Sequence, residues 1–123
     1  MARIAIIEDS LTDKAVFTGM LRRHGHEVIS AGSAEEGVEL VKREMPALVL
    51  MDVILPGAMN GFQATRALSK DPKTSSIPVI IVSTKAMETD RVWGMRQGAK
   101  DYMVKPPSEA ELIGRINSLL GIG

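Results

Sequence analysis

Five short apolar runs rich in β-branched residues recur along the chain, at Ile4 to Ile7, Val28 to Ile29, Leu48 to Met51, Val79 to Val82 and Tyr102 to Val104. Each reads as a buried strand. Between them lie segments of helical spacing: Ala15, Met20 and Leu21; Val38, Leu40 and Val41; Val92, Met95 and Ala99; and Leu112, Ile113, Ile116, Leu119 and Leu120. Such stripes predict amphipathic helices. Ser33-Ala34-Glu35-Glu36 and Ser108-Glu109-Ala110-Glu111 mark helix starts, where a serine caps an orphan amide and the glutamate three residues on reaches back. Gly98 and Gly121 sit where helices should stop. Strands alternating with helices imply an α/β fold with a mostly parallel sheet covered on both faces, because each parallel connection needs a crossover.

No linker, repeat or low-complexity tract divides the chain, so residues 1–123 read as one domain with no output module. The absence of cysteine excludes a disulfide framework, a thiolate metal site and a cysteine nucleophile, and suits a reducing cytoplasm. No apolar stretch resembles a signal peptide or approaches a membrane span. Acidic and basic residues balance at 15 each and aromatics are scarce, which argues against a nucleic-acid surface. Function should therefore reside in a local site or a protein-binding face.

In open α/β sheets ligands gather at the carboxyl ends of the strands. Here the residues after the apolar runs are polar: Glu8 and Asp9, then Asp52, then Ser83 and Thr84, then Lys105-Pro106. Three carboxylates at one edge repel one another unless a cation intervenes. A hard divalent ion such as Mg²⁺ suits oxygen donors and accepts a phosphate oxygen as a further ligand. A lysine beside it supplies a point charge for a phosphoryl group, and the Ser83 hydroxyl can donate to another phosphate oxygen. Together these residues describe an acyl-phosphate site on a carboxylate. Singly, each has a blander reading: Asp52 as a turn former, Glu8-Asp9 as a helix cap, Ser83 as a turn hydroxyl, Lys105 as a solvated charge. His24-Gly25-His26 reads as a helix end whose histidines satisfy terminal carbonyls, not as a metal site. Trp93 falls off the stripe of its helix and is a candidate for partner contact.

The ordered set Glu8-Asp9, Asp52 before Leu55-Pro56, Ser83, Gly98-Ala99, Tyr102 and Lys105-Pro106 resembles the receiver domains of bacterial two-component response regulators over essentially the whole chain. Within that family, the stretches from Ile77 to Val82 and from Thr89 to Ala99 resemble the small PilH-type regulators of twitching motility. The resemblance implies a flavodoxin-like (βα)5 fold with strand order 2-1-3-4-5. It implies that Asp52 accepts a phosphoryl group from a sensor histidine kinase or phosphotransfer protein. Asp9, Asp52 and the Ile54 carbonyl would bind Mg²⁺, with Glu8 acting through water and Lys105 pairing with the phosphoryl group. Ser83 would then move toward the phosphate and Tyr102 turn inward, changing the face made by the fourth helix, fifth strand and fifth helix, where a downstream protein would dock. The family expectation is a cytoplasmic switch, monomeric or dimerising on phosphorylation, signalling by protein contact without nucleic acid or membrane insertion.

Three features depart from the family pattern. Glu8 stands where most receivers have aspartate. Val53 to Asn60 makes the loop after Asp52 one residue longer, with Gly57, Asn60 and Gly61 able to take left-handed conformations. The resemblance implicates Ile54 and Lys85 in dephosphorylation, and neither offers an acceptor to orient water, so the phospho-form is expected to be longer-lived than in receivers with polar residues at both places. An aspartyl-phosphate phosphatase of the haloacid dehalogenase type would want an acid where Ile54 stands. Flavin binding would want a Ser/Thr/Gly-rich loop after the first strand. The remaining alternative is a receiver-like interaction module that works without phosphorylation.

Overall fold

The computed structural model describes residues 1–123. In chain order the elements are β1 (Arg3–Ile7), α1 (Leu11–Arg23), β2 (Glu27–Ala31), α2 (Ala34–Glu44), β3 (Leu48–Met51), α3 (Gly61–Lys70), β4 (Val79–Ser83), α4 (Glu88–Arg96), β5 (Asp101–Val104) and α5 (Glu109–Leu120). The five strands pair in parallel in the order β2-β1-β3-β4-β5, the flavodoxin-like arrangement.

Because side chains alternate along a strand, each central strand feeds two cores. Ala5, Ile7, Val49, Met51, Val79 and Ile81 face the layer of α2, α3 and α4. Ile4, Ile6, Leu48, Leu50, Ile80 and Val82 face α1 and α5, meeting Phe17, Leu21, Leu112, Ile113 and Ile116. Each such Ile or Leu withdrawn from water contributes about 1.5–3 kcal/mol. Two-sided burial is why the strands read as unbroken apolar runs.

Ser33 and Ser108 cap α2 and α5 by accepting the Glu36 and Glu111 amides at 3.2 and 3.0 Å. The reciprocal half of the capping box is found instead at α3, where Asn60 and Gln63 bond each other's amides. Gly121 ends α5 at φ 72° and Gly98 follows α4 at φ 109°.

Three stripe expectations are corrected. In α1 Met20 and Leu21 do meet the core, but the third inward residue is Phe17, while Ala15 is exposed. In α5 Leu119 reaches solvent. In α4 Val92 and Met95 are exposed, and Gly94 is its buried residue. A Cβ on Gly94 would lie 2.9 Å from the Ile81 side chain and 3.0 Å from the Tyr102 ring. The α4 backbone thus packs directly on the sheet, which turns the flanking apolar side chains outward.

The two histidines close the end of α1 through their backbone amides, as expected, and differ in where their rings go. The His24 and His26 amides both donate to the Leu21 carbonyl, at 3.1 and 3.0 Å, and the Gly25 amide donates to that of Arg22 at 3.0 Å. The His24 ring lies 3.0 Å from Glu109, which also takes Arg23 at 2.6 Å. His26 is buried and its Nδ1 accepts the Ala2 amide at 3.2 Å. Burial, reinforced by the N-terminal charge and His24, lowers the His26 pKa below its ordinary value. The unfolded chain therefore binds the proton more readily, so this group's contribution to stability is present above about pH 6.5 and lost as pH falls below it. Urea unfolding of wild type and His26→Gln should show a difference in stability that shrinks from pH 7.5 to pH 5.5; a difference independent of pH would contradict this.

Candidate functional site

The carboxyl ends of β1, β3 and β5 bring Glu8, Asp52 and Lys105 together. The Lys105 ammonium donates to Glu8 Oε1 at 2.6 Å, Asp13 Oδ2 at 2.8 Å and Asp52 Oδ2 at 3.1 Å. An ammonium has three N–H donors, and each carboxylate takes one. Burial would weaken the lysine's hold on its proton, but the hydrogen bonds it donates to Asp13, Glu8 and Asp52 outweigh it and raise the pKa above the usual lysine value. The lysine expected to meet a phosphoryl group thus serves here as the counter-ion of the acids. The Lys105-Pro106 peptide is cis.

Glu8 is only 2 % exposed and burial raises its pKa. Both its oxygens are engaged, Oε1 by Lys105 and Oε2 by the Ser10 amide at 3.1 Å. Asp9 beside it is exposed. Asp52, buried, turns Oδ1 to the Val53 amide at 2.7 Å and Oδ2 to Lys105. Glu8, Asp9 and Asp52 each offer an oxygen within 4.8 Å of the others. That all-oxygen set is suited to a hard divalent cation.

Ser83 and Tyr102 meet on the Lys85 backbone. Buried Ser83 accepts the Lys85 amide on Oγ at 3.2 Å, and Tyr102 donates its hydroxyl to the Lys85 carbonyl at 2.7 Å. Tyr102 is already inward, 1 % exposed, with Arg91 bonded to its carbonyl at 3.0 Å and set over its ring. Burial raises its phenol pKa, helped by Asp90. The Lys85 ammonium is drawn toward Asp90 at 3.7 Å. Ile54 has an exposed side chain.

The lengthened loop after Asp52 is held in a way its sequence did not suggest. Gly57 takes the left-handed conformation at φ 96°, whereas Asn60 is extended and acts as the α3 cap. Gly61 opens α3 and is needed for space, since a Cβ there would fall 1.8 Å from the Asp52 carbonyl oxygen. The loop amides of Ala58 and Met59 both donate to Glu35 Oε2 at 3.1 Å, tying the loop to the first turn of α2.

Sequence reasoning missed Asp13 and Glu35. Both stand in the first turn of a helix, where an acid is ordinarily explained by the unpaired amides and the helix dipole. The only further signal was that these turns follow β1 and β2 directly, at the same sheet edge.

A family profile described as "Response regulator receiver domain" matches residues 4–117. The chain is 55% identical to the protein PilH of Pseudomonas aeruginosa over 120 residues, covering 98% of both. It is 32% identical to the phosphate regulon regulator PhoB of Escherichia coli over 118 residues, spanning 96% of this chain but 51% of PhoB. Among solved structures it superposes with TM-score 0.90 and 28% identity on the receiver domain of a Pseudomonas aeruginosa sensor histidine kinase, covering 98% of each chain. That neighbour's structure has a magnesium ion coordinated in the active-site cleft. The receiver domain of RstA from Klebsiella pneumoniae, activated with BeF3, aligns at TM-score 0.88 and 25% identity over 96% of this chain and 97% of that one.

The close approach at Gly61 yields a direct test. Gly61→Ala must displace the backbone beside Asp52, so it should lower stability by more than about 2 kcal/mol in urea unfolding. A loss under about 0.5 kcal/mol would contradict the contact.

Proposed function

The chain belongs to the response regulator receiver domain family, and we propose from that premise that it is a phospho-switch in which Asp52 is the phosphoacceptor. The observation that carries this reading is the buried Asp52 carboxylate bonded to Lys105 beside two further acids at the strand ends. An Asp52 oxygen attacks the phosphorus of a phosphohistidine on a sensor kinase or phosphotransfer protein. As the new O–P bond forms, the P–N bond breaks and the imidazole leaves with the bonding pair, taking a proton from water.

Asp9, Asp52 and the Ile54 carbonyl would hold Mg²⁺, and Glu8, its oxygens already engaged, would act through water. The bound ion supplies charge neutralisation for the transferring phosphoryl group. Lys105 donates to a phosphoryl oxygen and Ser83 to another. Moving Ser83 Oγ costs its bond to the Lys85 amide and disturbs the Lys85 carbonyl that holds Tyr102. The signal passes in this way to the face of α4, β5 and α5. Exposed Met87, Val92, Trp93 and Met95 on and before α4 support docking of a downstream protein there. Residues 1–123 act as a single receiver whose chemistry is confined to its own phosphorylation and dephosphorylation, as monomer or phosphorylation-dependent dimer. Similarity to PilH supports a chemotaxis-like or type IV pilus motility pathway. A cytoplasmic setting agrees with the family, and no helix is long and apolar enough to cross a membrane.

Incubation with acetyl phosphate and Mg²⁺ should add one phosphoryl group to the intact mass of wild type and none to Asp52→Asn. An unmodified wild type would favour an interaction module that works without phosphorylation. Exposed Ile54, and Lys85 drawn to Asp90, leave attacking water without an acceptor. Phosphate release should therefore be slow, and Ile54→Asn should speed it by about tenfold. Fast release that slows on replacing Ile54 or Lys85 would contradict this.

A further inference from the structure

An acid at the third helical position can reach back to the amide of the cap residue. At α1 the Ser10 hydroxyl does accept the Asp13 amide at 3.2 Å, yet the Ser10 amide is taken by Glu8 Oε2 at 3.1 Å. Asp13 is thereby left free of its local role, and its carboxylate turns to Lys105 at 2.8 Å, a shorter contact than that of Asp52. The lysine side chain is 10 % exposed and shared among three acids, so none of its N–H donors is spare. Asp13 is the solvent-facing member of the three, its side chain 41 % exposed against 2 % for Glu8 and 8 % for Asp52. It is the partner whose carboxylate water can re-solvate when Lys105 lets go.

We propose that Asp13 is a positioning residue that holds Lys105 in the resting site and must surrender its hydrogen bond when a phosphoryl group arrives on Asp52. The inference rests on the phosphoacceptor reading above. The added phosphoryl oxygens need an N–H from Lys105, and the bond to Asp13 is the one released. Asp13 also presents a negative charge to the incoming anionic donor, so it opposes phosphorylation twice, by retaining the lysine and by repelling the donor. The covalent step is unchanged: an Asp52 oxygen bonds phosphorus while the donor's bond breaks. What Asp13 sets is how readily Lys105 takes part.

Asp13→Asn removes the charge at nearly constant shape, and Asp13→Glu keeps the charge. At saturating Mg²⁺ and limiting acetyl phosphate, Asp13→Asn should be phosphorylated about two- to fivefold faster than wild type, with Asp13→Glu returning toward the wild-type rate. Without Mg²⁺ or donor, the Lys105 ammonium protons of wild type should be protected enough to appear in a lysine-selective ¹H–¹⁵N spectrum, and Asp13→Asn should weaken that signal. Either an unaltered rate or an unaltered ammonium signal in Asp13→Asn would overturn the proposal. So would a rate that falls, which would make Asp13 a supporting member of the acceptor machinery. If wild type accepts no phosphoryl group at all, the phosphoacceptor reading fails, while the ammonium signal still reports whether Asp13 holds Lys105.

Discussion

The Lys105 ammonium is the interaction on which the site depends. Glu8 and Asp52 are both nearly excluded from water, and two buried carboxylates a few ångströms apart repel one another unless a positive charge stands between them. Lys105 reaches across from the end of β5 and joins the ends of β1 and β3 through one charged atom. Its other contact, to Asp13, draws the start of α1 into the same network. The arrangement holds Glu8 and Asp52 close and leaves Asp9 exposed beside them.

Around that network, glycines and backbone amides fix several of the positions. Gly61 lets α3 begin against the Asp52 carbonyl, and Gly94 lets α4 lie on Ile81 and Tyr102. Glu35 clasps two loop amides from a neighbouring helix and so fastens the loop after Asp52. On the other side, Ser83, Lys85 and Tyr102 are linked through a single peptide segment. A displacement of Ser83 thus has a short physical route to the ring and to α4. Arg91 of α4 bonds the Tyr102 carbonyl at 3.0 Å, so each bond in the route is present.

The sheet was readable from its apolar runs because strands buried on both faces leave no polar interruption, and the β3 run matched its strand residue for residue. Amphipathic helices were less legible. Spacing counts apolar residues but does not say how close the helix axis comes to the sheet. In α4 a glycine makes the contact, so Val92 and Met95, which fit the stripe, face water. In α1 Phe17 points inward while Ala15 does not. The strand-end site residues were legible because their polarity follows an apolar run; Asp13 and Glu35 were hidden as ordinary first-turn acids.

From the sequence alone follow the parallel α/β class, the meeting of Glu8, Asp9, Asp52, Ser83 and Lys105 at one sheet edge, and, by resemblance, the strand order and family. Those depend on residue type at strand ends, which is local information. Tertiary structure alone decided which carboxylates Lys105 holds, that Tyr102 already lies inward, and that Glu35 fastens the lengthened loop. These are contacts between residues far apart in the chain, set by how closely the helices approach the sheet, and no periodicity in the sequence encodes that distance.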